Sequence, residues 1–310
     1  GIWLFKNDFI EMVTNVNFID AFYLPPMIYH VADLGSEFNL SSSMFTEYDK
    51  VDSKYRASGY IKPDVIISLC SGGMDTILST YDYIHSSIEY KDIDVELIYF
   101  DWGTIAGKDE LVSVTKFKEF LQNNFEGETI NVFVGAQSID VKSAFKNILS
   151  IAGLDTVRIA DPEAKGQGQN EAENAISYVP FRNTYLLLMA ATYAEQKYPN
   201  KKVDFVIGAN LTEGMVYLDN STNYIEKMTR LIKVAGQKTA QFNVVAPYRN
   251  LTKTKMINTF ISCYGETKFK ELIDLSFSCY FPKDGKPCNE CGSCLLRNKA
   301  LERSNIDIKA

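Results

Sequence analysis

Two clusters in this sequence combine residue types and spacings that can do chemistry. In the run from Asp64 to Thr76, an apolar stretch ending at Leu69 and Cys70 leads into Ser71, Gly72, Gly73, Met74, Asp75 and Thr76. A strand that enters such a turn and leaves it as a helix makes a cradle for phosphate. Glycines without Cβ atoms let backbone N–H groups close on an anion, and the helix N-terminus adds a partial positive charge. Ser71 and Thr76 bring hydroxyl donors, and Asp75 can hold a Mg2+ ion that neutralises a leaving pyrophosphate. The segment lacks the lysine of a Walker A loop, which argues against kinase or motor chemistry. Two adjacent glycines after a strand are as often a plain tight turn; strand, helix, hydroxyls and acid together favour phosphate.

The second cluster is Cys279, Cys288, Cys291 and Cys294, spaced C-x8-C-x2-C-x2-C. Four thiolates at this spacing can wrap a tetrahedral ion with Zn–S distances of about 2.3 Å. They fill the shell and leave no position for water, so the zinc is expected to be structural, a staple for the C-terminal segment. A disulfide pair and an iron–sulfur cluster are the competing uses of the same residues. Of the two remaining cysteines, Cys70 reads as a buried apolar thiol and Cys263 is unassigned.

These clusters sit in a chain of 310 residues with 46% hydrophobic and 23% charged residues and a formal charge of -7. Such a composition is that of an ordinary soluble globular protein with one sizeable core, and no stretch is long and apolar enough to span a membrane. The acidic balance disfavours an extended grip on nucleic acid. No export leader opens the chain, so a reducing cytoplasm, where thiols stay free for metals, is the expected setting.

From residue 64 onward, short apolar runs alternate with helical patterns, the signature of βαβ units and an α/β fold with a parallel five-stranded sheet flanked by helices. Strands are expected at 64–70, 93–100, 129–134, 203–208 and 242–246, each apolar on both faces. Helices are expected at 75–90, 108–125, 183–197, 223–234 and 253–263. In the second, Leu111, Val114, Phe117, Phe120 and Leu121 recur at helical spacing and should face the core, with Lys116, Lys118 and Glu119 outward. The chain divides into an N-terminal extension, 1–60, a nucleotide-binding domain, 61–270, and a zinc-binding segment, 271–310. Asp161 to Asn174, rich in Gly, Gln and Glu, reads as an exposed loop.

Taken in order, the motifs resemble one family, the 7-cyano-7-deazaguanine synthases (QueC), of the N-type ATP pyrophosphatases, over about residues 64 to 300. The points of likeness are Ser71 to Thr76; Asp101-Trp102-Gly103 after the second strand; Val179-Pro180-Phe181-Arg182-Asn183-Thr184; and Ser278-Cys279-Tyr280 with Cys288 to Arg297. The resemblance implies an adenine nucleotide alpha hydrolase-like fold and ATP cleavage to AMP and pyrophosphate. The activated acid would be 7-carboxy-7-deazaguanine, converted by ammonia to an amide and then a nitrile. It also implies roles. Leu69, Ser71, Gly72, Gly73, Met74, Asp75 and Thr76 would bind ATP with Mg2+. Asp75, Arg182 and Lys253 would serve catalysis, and Asp101, Trp102, Arg182, Asn183, Asn210, Tyr217 and Asp219 the deazapurine carboxylate. A homodimer is compatible with it.

Several positions depart from the family pattern. Thr104, Ile105 and Ala106 stand where it has Gln, Arg and His; Met215 stands for Ser, Ser221 for Arg, and Phe181 for a small residue. The losses fall on the acceptor half of the site. They leave a second reading open, a diverged amide ligase that joins the activated carboxylate to a protein or peptide amine, as in an anti-phage defence system. A zinc-ribbon nucleic-acid binder is the non-enzymatic alternative, and the acidic balance and phosphate loop speak against it.

Overall fold

The computed structural model describes residues 63–87, 92–125, 132–143, 179, 181–214, 217–237 and 241–306. The expected N-terminal extension, the 161–174 loop and Met215 lie outside the described residues. Five strands, β1 (Val65–Leu69), β2 (Ile93–Asp101), β3 (Val132–Asp140), β4 (Lys202–Val206) and β5 (Gln241–Val245), pair in the order β3-β2-β1-β4-β5. All four pairings are parallel. Because β1 pairs with β2 on one side and β4 on the other, the crevice at its carboxyl end is the switch point where ligands bind in open α/β sheets.

Helices cover both faces, as the apolar character of β1 demands. Successive strand side chains point to opposite faces. Ile66 therefore packs with α1 (Met74–Ser87), α2 (Gly107–Phe125), the later helix α6 (Lys253–Leu275) and α7 (Gly292–Arg303). Val65, Ile67 and Leu69 pack with α3 (Arg182–Lys197) and α5 (Thr222–Ala235). A short helix, α4 (Leu211–Gly214), and a 3-10 turn, Leu218–Asn220, follow β4.

The sequence expectations need four corrections. The inner strands are buried on both faces, although β2 and β4 bury the acids Glu96 and Asp204; β5 alternates as an edge strand, with Gln241 exposed and Phe242 buried. Residues 129–131 lie outside the described residues, and β3 runs on past 134 to Asp140, because backbone pairing with β2 continues through Gly135, Gln137 and Ser138 after the apolar signal has ended. α6 continues past 263 to Leu275, across a break at Gly265 (φ 82°, ψ 160°), where only glycine is at ease. In α2, Leu111 is 41% exposed, and the buried line runs through Ser113, Val114, Phe117, Leu121 and Phe125. α7 had no counterpart in the sequence reading.

Candidate active site and metal centre

The loop after β1 is built to be rigid. Gly72 has φ +76°, and a Cβ there would lie 2.8 Å from both the Glu110 carbonyl oxygen and the Ser113 side chain, so glycine is required twice over. The Gly72 carbonyl accepts from Phe277 N at 2.8 Å and from Ser113 Oγ at 2.7 Å, while Met74 N donates to Ser278 Oγ at 3.1 Å. Gly73 N donates to Ser71 Oγ at 3.3 Å, and Ser71 Oγ lies 3.4 Å from Thr76 Oγ1. Gly208 lets the end of β4 press against α1, since a Cβ there would sit 2.7 Å from Thr76 N. Leu69 and Met74 are buried in the core, so only their backbones can serve a nucleotide. Cys70 is buried too, its thiol pushed up to about 12 by desolvation, as the inert reading expects.

Three sequence-predicted residues meet on this loop. Lys253 Nζ is 2.8 Å from Asp75 Oδ2, and Asn210 Nδ2 donates to the same oxygen at 3.0 Å. Their side chains are well shielded, with Lys253 9% and Asp75 13% exposed. Lys253 opens α6, where Thr252 caps the helix and Thr212 Oγ1 accepts from Lys253 N at 3.0 Å. Loop, helix start and strand end thus converge on one carboxylate. Mg2+ characteristically takes one or two protein carboxylates plus substrate phosphates, and a hard oxygen donor at a phosphate loop fits that demand.

The residues expected to hold the acceptor side are placed less uniformly. Asp101 ends β2; its Oδ1 accepts from Gly103 N at 2.8 Å and its Oδ2 lies 3.4 Å from Lys142 Nζ. Trp102 packs between the core behind α3 and the cysteine cluster. Arg182 opens α3, its Nε donates to Asn183 Oδ1 at 3.4 Å, and its charge acts on Glu110. Asn183 and Asp219 are turned on each other. Asp219 Oδ2 accepts from Asn183 N at 3.1 Å, capping α3, while Asn183 Nδ2 donates to Asp219 O at 2.9 Å and to Asn220 Oδ1 at 2.8 Å. Tyr217 immediately precedes the 3-10 turn that carries Asp219.

The positions that depart from the QueC pattern have local reasons of their own. Ser221 caps α5, accepting from Tyr224 N at 3.2 Å and donating to Leu218 O at 2.7 Å. Phe181 adopts the left-handed conformation (φ 54°) and is 77% exposed beside Arg182. Ile105 packs against the cysteine cluster.

Sequence reasoning missed Glu110 in this crevice. Its Oε2 accepts from Tyr99 Oη at 3.1 Å. Burial pushes its carboxyl up to about 7, against the opposing effects of the Tyr99 hydrogen bond and the Arg182 charge. The one available signal was an acid in the first turn of a helix after an Asp-x-Gly turn, which also fits an ordinary helix start. A separate depression, lined by Glu266, Thr267, Lys270, Glu271 and Asp274 on α6, shares no residue with this crevice.

The four cysteines come together as their spacing requires. Their sulfurs lie within 4.8 Å of one another, all four residues are buried, and no two are joined as a disulfide. Cys288 N donates to Cys279 Sγ at 3.2 Å, and Cys291 N to Cys288 Sγ at 3.3 Å, interactions that favour thiolate. Hydrogen bonds from Cys279 and Cys294 hold the Cys291 thiol far below its usual range. Val179 and Phe281 enclose the cluster. Four soft thiolates at this separation are a metal-binding set.

The family model for "Queuosine biosynthesis protein QueC" matches residues 65–305. The 7-cyano-7-deazaguanine synthase of Methanococcus vannielii is 26% identical over 245 residues, covering 77% of this chain and 95% of its own length. That of Acidobacterium capsulatum is 27% identical over 246 residues, covering 76% of this chain and 90% of its own. Among solved structures, the NMN synthetase of Francisella tularensis aligns over 87% of this chain and 99% of its own at 14% identity and a TM-score of 0.39, too distant a likeness to bear on the site. With the phosphate loop, the Asp101 turn, the Arg182 helix start and the cysteine cluster disposed about one parallel sheet, and the family model matched across most of its length, the chain belongs to the QueC family.

Proposed function

We propose that this protein uses ATP to activate 7-carboxy-7-deazaguanine as its adenylate, releasing pyrophosphate, and then passes the acyl group to ammonia. The observation that carries the reading is the buried Asp75–Lys253 pair with Asn210 at the end of the Ser71–Thr76 loop. Nucleotide phosphates arriving at the loop compete with Asp75 for Lys253, whose ammonium then stabilises the charge that grows on the α-phosphorus and leaving pyrophosphate. Asp75, relieved of the lysine, is the residue to hold Mg2+. Held there, the ion would supply charge neutralisation to the phosphates. Arg182, at the start of α3, is placed to pair with a carboxylate or phosphate oxygen in bidentate fashion. Asp101 and Trp102 at the end of β2 offer an acceptor and a flat face to a deazapurine, while Asn183, Tyr217 and Asp219 shape its far wall.

The cysteine cluster is assigned to structural zinc, since four thiolates close the coordination shell. A cytoplasmic setting keeps those thiolates reduced. The relatives named above are synthases of the nitrile, and a full reaction here would activate the amide a second time. Two observations favour a diverged acceptor: Ser221 caps a helix where the family pattern has arginine, and Phe181 presents an exposed aromatic ring beside Arg182. A protein or peptide amine is the second reading. The test is to incubate the protein with ATP, Mg2+ and 7-carboxy-7-deazaguanine and to measure AMP, ADP and pyrophosphate. AMP with pyrophosphate is expected, and ADP as the product rules the reading out. Ammonium compared with candidate protein acceptors, followed by mass spectrometry, separates the two acceptors.

A further inference from the structure

Glu110 is a half-buried carboxyl that none of the steps above employs. It lies in the first turn of α2, on the side turned toward the sheet and the phosphate loop, and its backbone carbonyl is the atom that a side chain at Gly72 would strike. Tyr99 of β2 donates to its Oε2. Two charges face it, Arg182 from the start of α3 and Asp101 from the end of β2. The loop after β1, the turn after β2 and the start of α3 therefore converge on one carboxyl at the edge of the sheet where ligands bind.

Amide formation on an acyl adenylate has a requirement that adenylation lacks. Ammonia and ordinary primary amines are cations at neutral pH and have no free electron pair until a proton is removed. We propose that Glu110 is the base that takes this proton, delivering the amine to the adenylate in its neutral form. The assignment rests on the amine-acylating reading given above. In the step, one proton passes from the ammonium nitrogen to the Glu110 carboxylate. The freed nitrogen pair forms the C–N bond as the bond between the carbonyl carbon and the adenylate oxygen breaks. AMP leaves with that bonding pair, and the second N–H proton goes to its phosphate. Burial has already brought Glu110 to about 7, a value suited to accepting and releasing a proton near neutrality.

A purely structural role, holding Tyr99 and the β2–α2 turn in place, would affect every nucleophile alike. Hydroxylamine separates the two roles, because it is a weak base, largely neutral at pH 7, and needs no proton removed. In Glu110→Gln, the rate with ammonium at pH 7 is expected to fall by about 100-fold, while hydroxamate formation falls by less than about tenfold. Raising the pH should restore the ammonium rate. Tyr99→Phe, which removes a hydrogen bond that favours the ionised carboxyl, should move the acid limb of the ammonium profile to higher pH, and it serves if Glu110→Gln does not fold. Equal losses with both nucleophiles, no loss with either, or an unmoved limb in Tyr99→Phe overturns the assignment. Wild-type protein that forms no AMP with the acid overturns the adenylation reading and this assignment together. AMP formation followed by ammonium transfer indifferent to Glu110 overturns this assignment alone.

Discussion

The sheet carries a shielded carboxylate–lysine pair near each of its ends, and the two differ in what surrounds the lysine. At the carboxyl end, Asp75 and Lys253 are both enclosed, at 13% and 9% exposure. Toward the amino end, Glu96 is 7% exposed but its partner Lys197, the last residue of α3, is 40% exposed. Glu96 stands on β2 over Gly135, whose missing Cβ makes the room it needs. Tyr198 Oη donates to Glu96 at 2.8 Å, and Lys197 Nζ also donates to Tyr193 Oη at 2.7 Å. A pair with one charge in solvent anchors the end of a helix at modest desolvation cost. A pair with both charges enclosed is expensive and seldom improves on an apolar substitute in stability alone. Its place at a phosphate loop suggests what is gained, a lysine held ready for a ligand that can outbid the carboxylate.

The sharpest way to break this contrast is Asp75→Asn. AMP formation should fall by about 1000-fold, as when a preorganised charge is lost at a reacting phosphate, with the thermal midpoint moving little; a modest rate loss with a collapsed midpoint would make the pair an anchor after all. Loss of the metal comes next. Cys291→Ser, or chelation under reducing conditions, should lower midpoint and AMP formation together, because the residues beside Cys279 brace the phosphate loop. Elemental analysis should find about one zinc per chain, and an iron–sulfur absorption spectrum would replace that assignment. Lys197→Met should destabilise the fold by about 3 kcal/mol, since it strands a buried carboxylate, while AMP formation per folded molecule stays within about threefold.

The alkaline response sharpens the same point. Burial works against the Lys197 charge, yet hydrogen bonds to Glu96, Tyr193 and Tyr198 hold its ammonium above the ordinary lysine range. A folded-state value raised in this way gives stability that is full below the unfolded lysine value of 10.5 and is lost as pH climbs through the folded one. Alkaline unfolding should therefore begin at lower pH in Glu96→Gln than in the parent protein. The smallest effect is expected for Ser221→Ala, which removes the α5 cap and should cost about 1 kcal/mol, read as a shift in the denaturation midpoint.

What the sequence revealed follows from which interactions are local. The phosphate loop and the cysteine cluster are short-range patterns, where spacing alone constrains geometry, and the structure assembles both. Family likeness singled out Asn210 as a substrate contact and Lys253 as a catalytic residue, and only the fold places both beside Asp75. Glu110 escaped because an apolar stripe was traced through Leu111, one residue away; a half-buried acid on the sheet side of a helix breaks the pattern that helix reading depends on. Glu96 escaped similarly, as a buried acid among the apolar residues of β2. Its compensation lies about a hundred residues downstream, at Lys197 and Tyr198. Asn183 and Asp219 were read as substrate contacts, and the geometry shows that much of their hydrogen bonding is spent on each other.

The bonds from Phe277 to Gly72 and from Met74 to Ser278 span 204 residues or more of chain. During synthesis, the loop after β1 is therefore made early but finished late. The strands and helices of the central sheet can collapse as they emerge from the ribosome, yet the loop waits for a segment translated near the end. A nascent or prematurely terminated chain lacking that segment would hold the glycines without their braces. On the function proposed above, it would be a poor consumer of ATP until the cysteine module has been made.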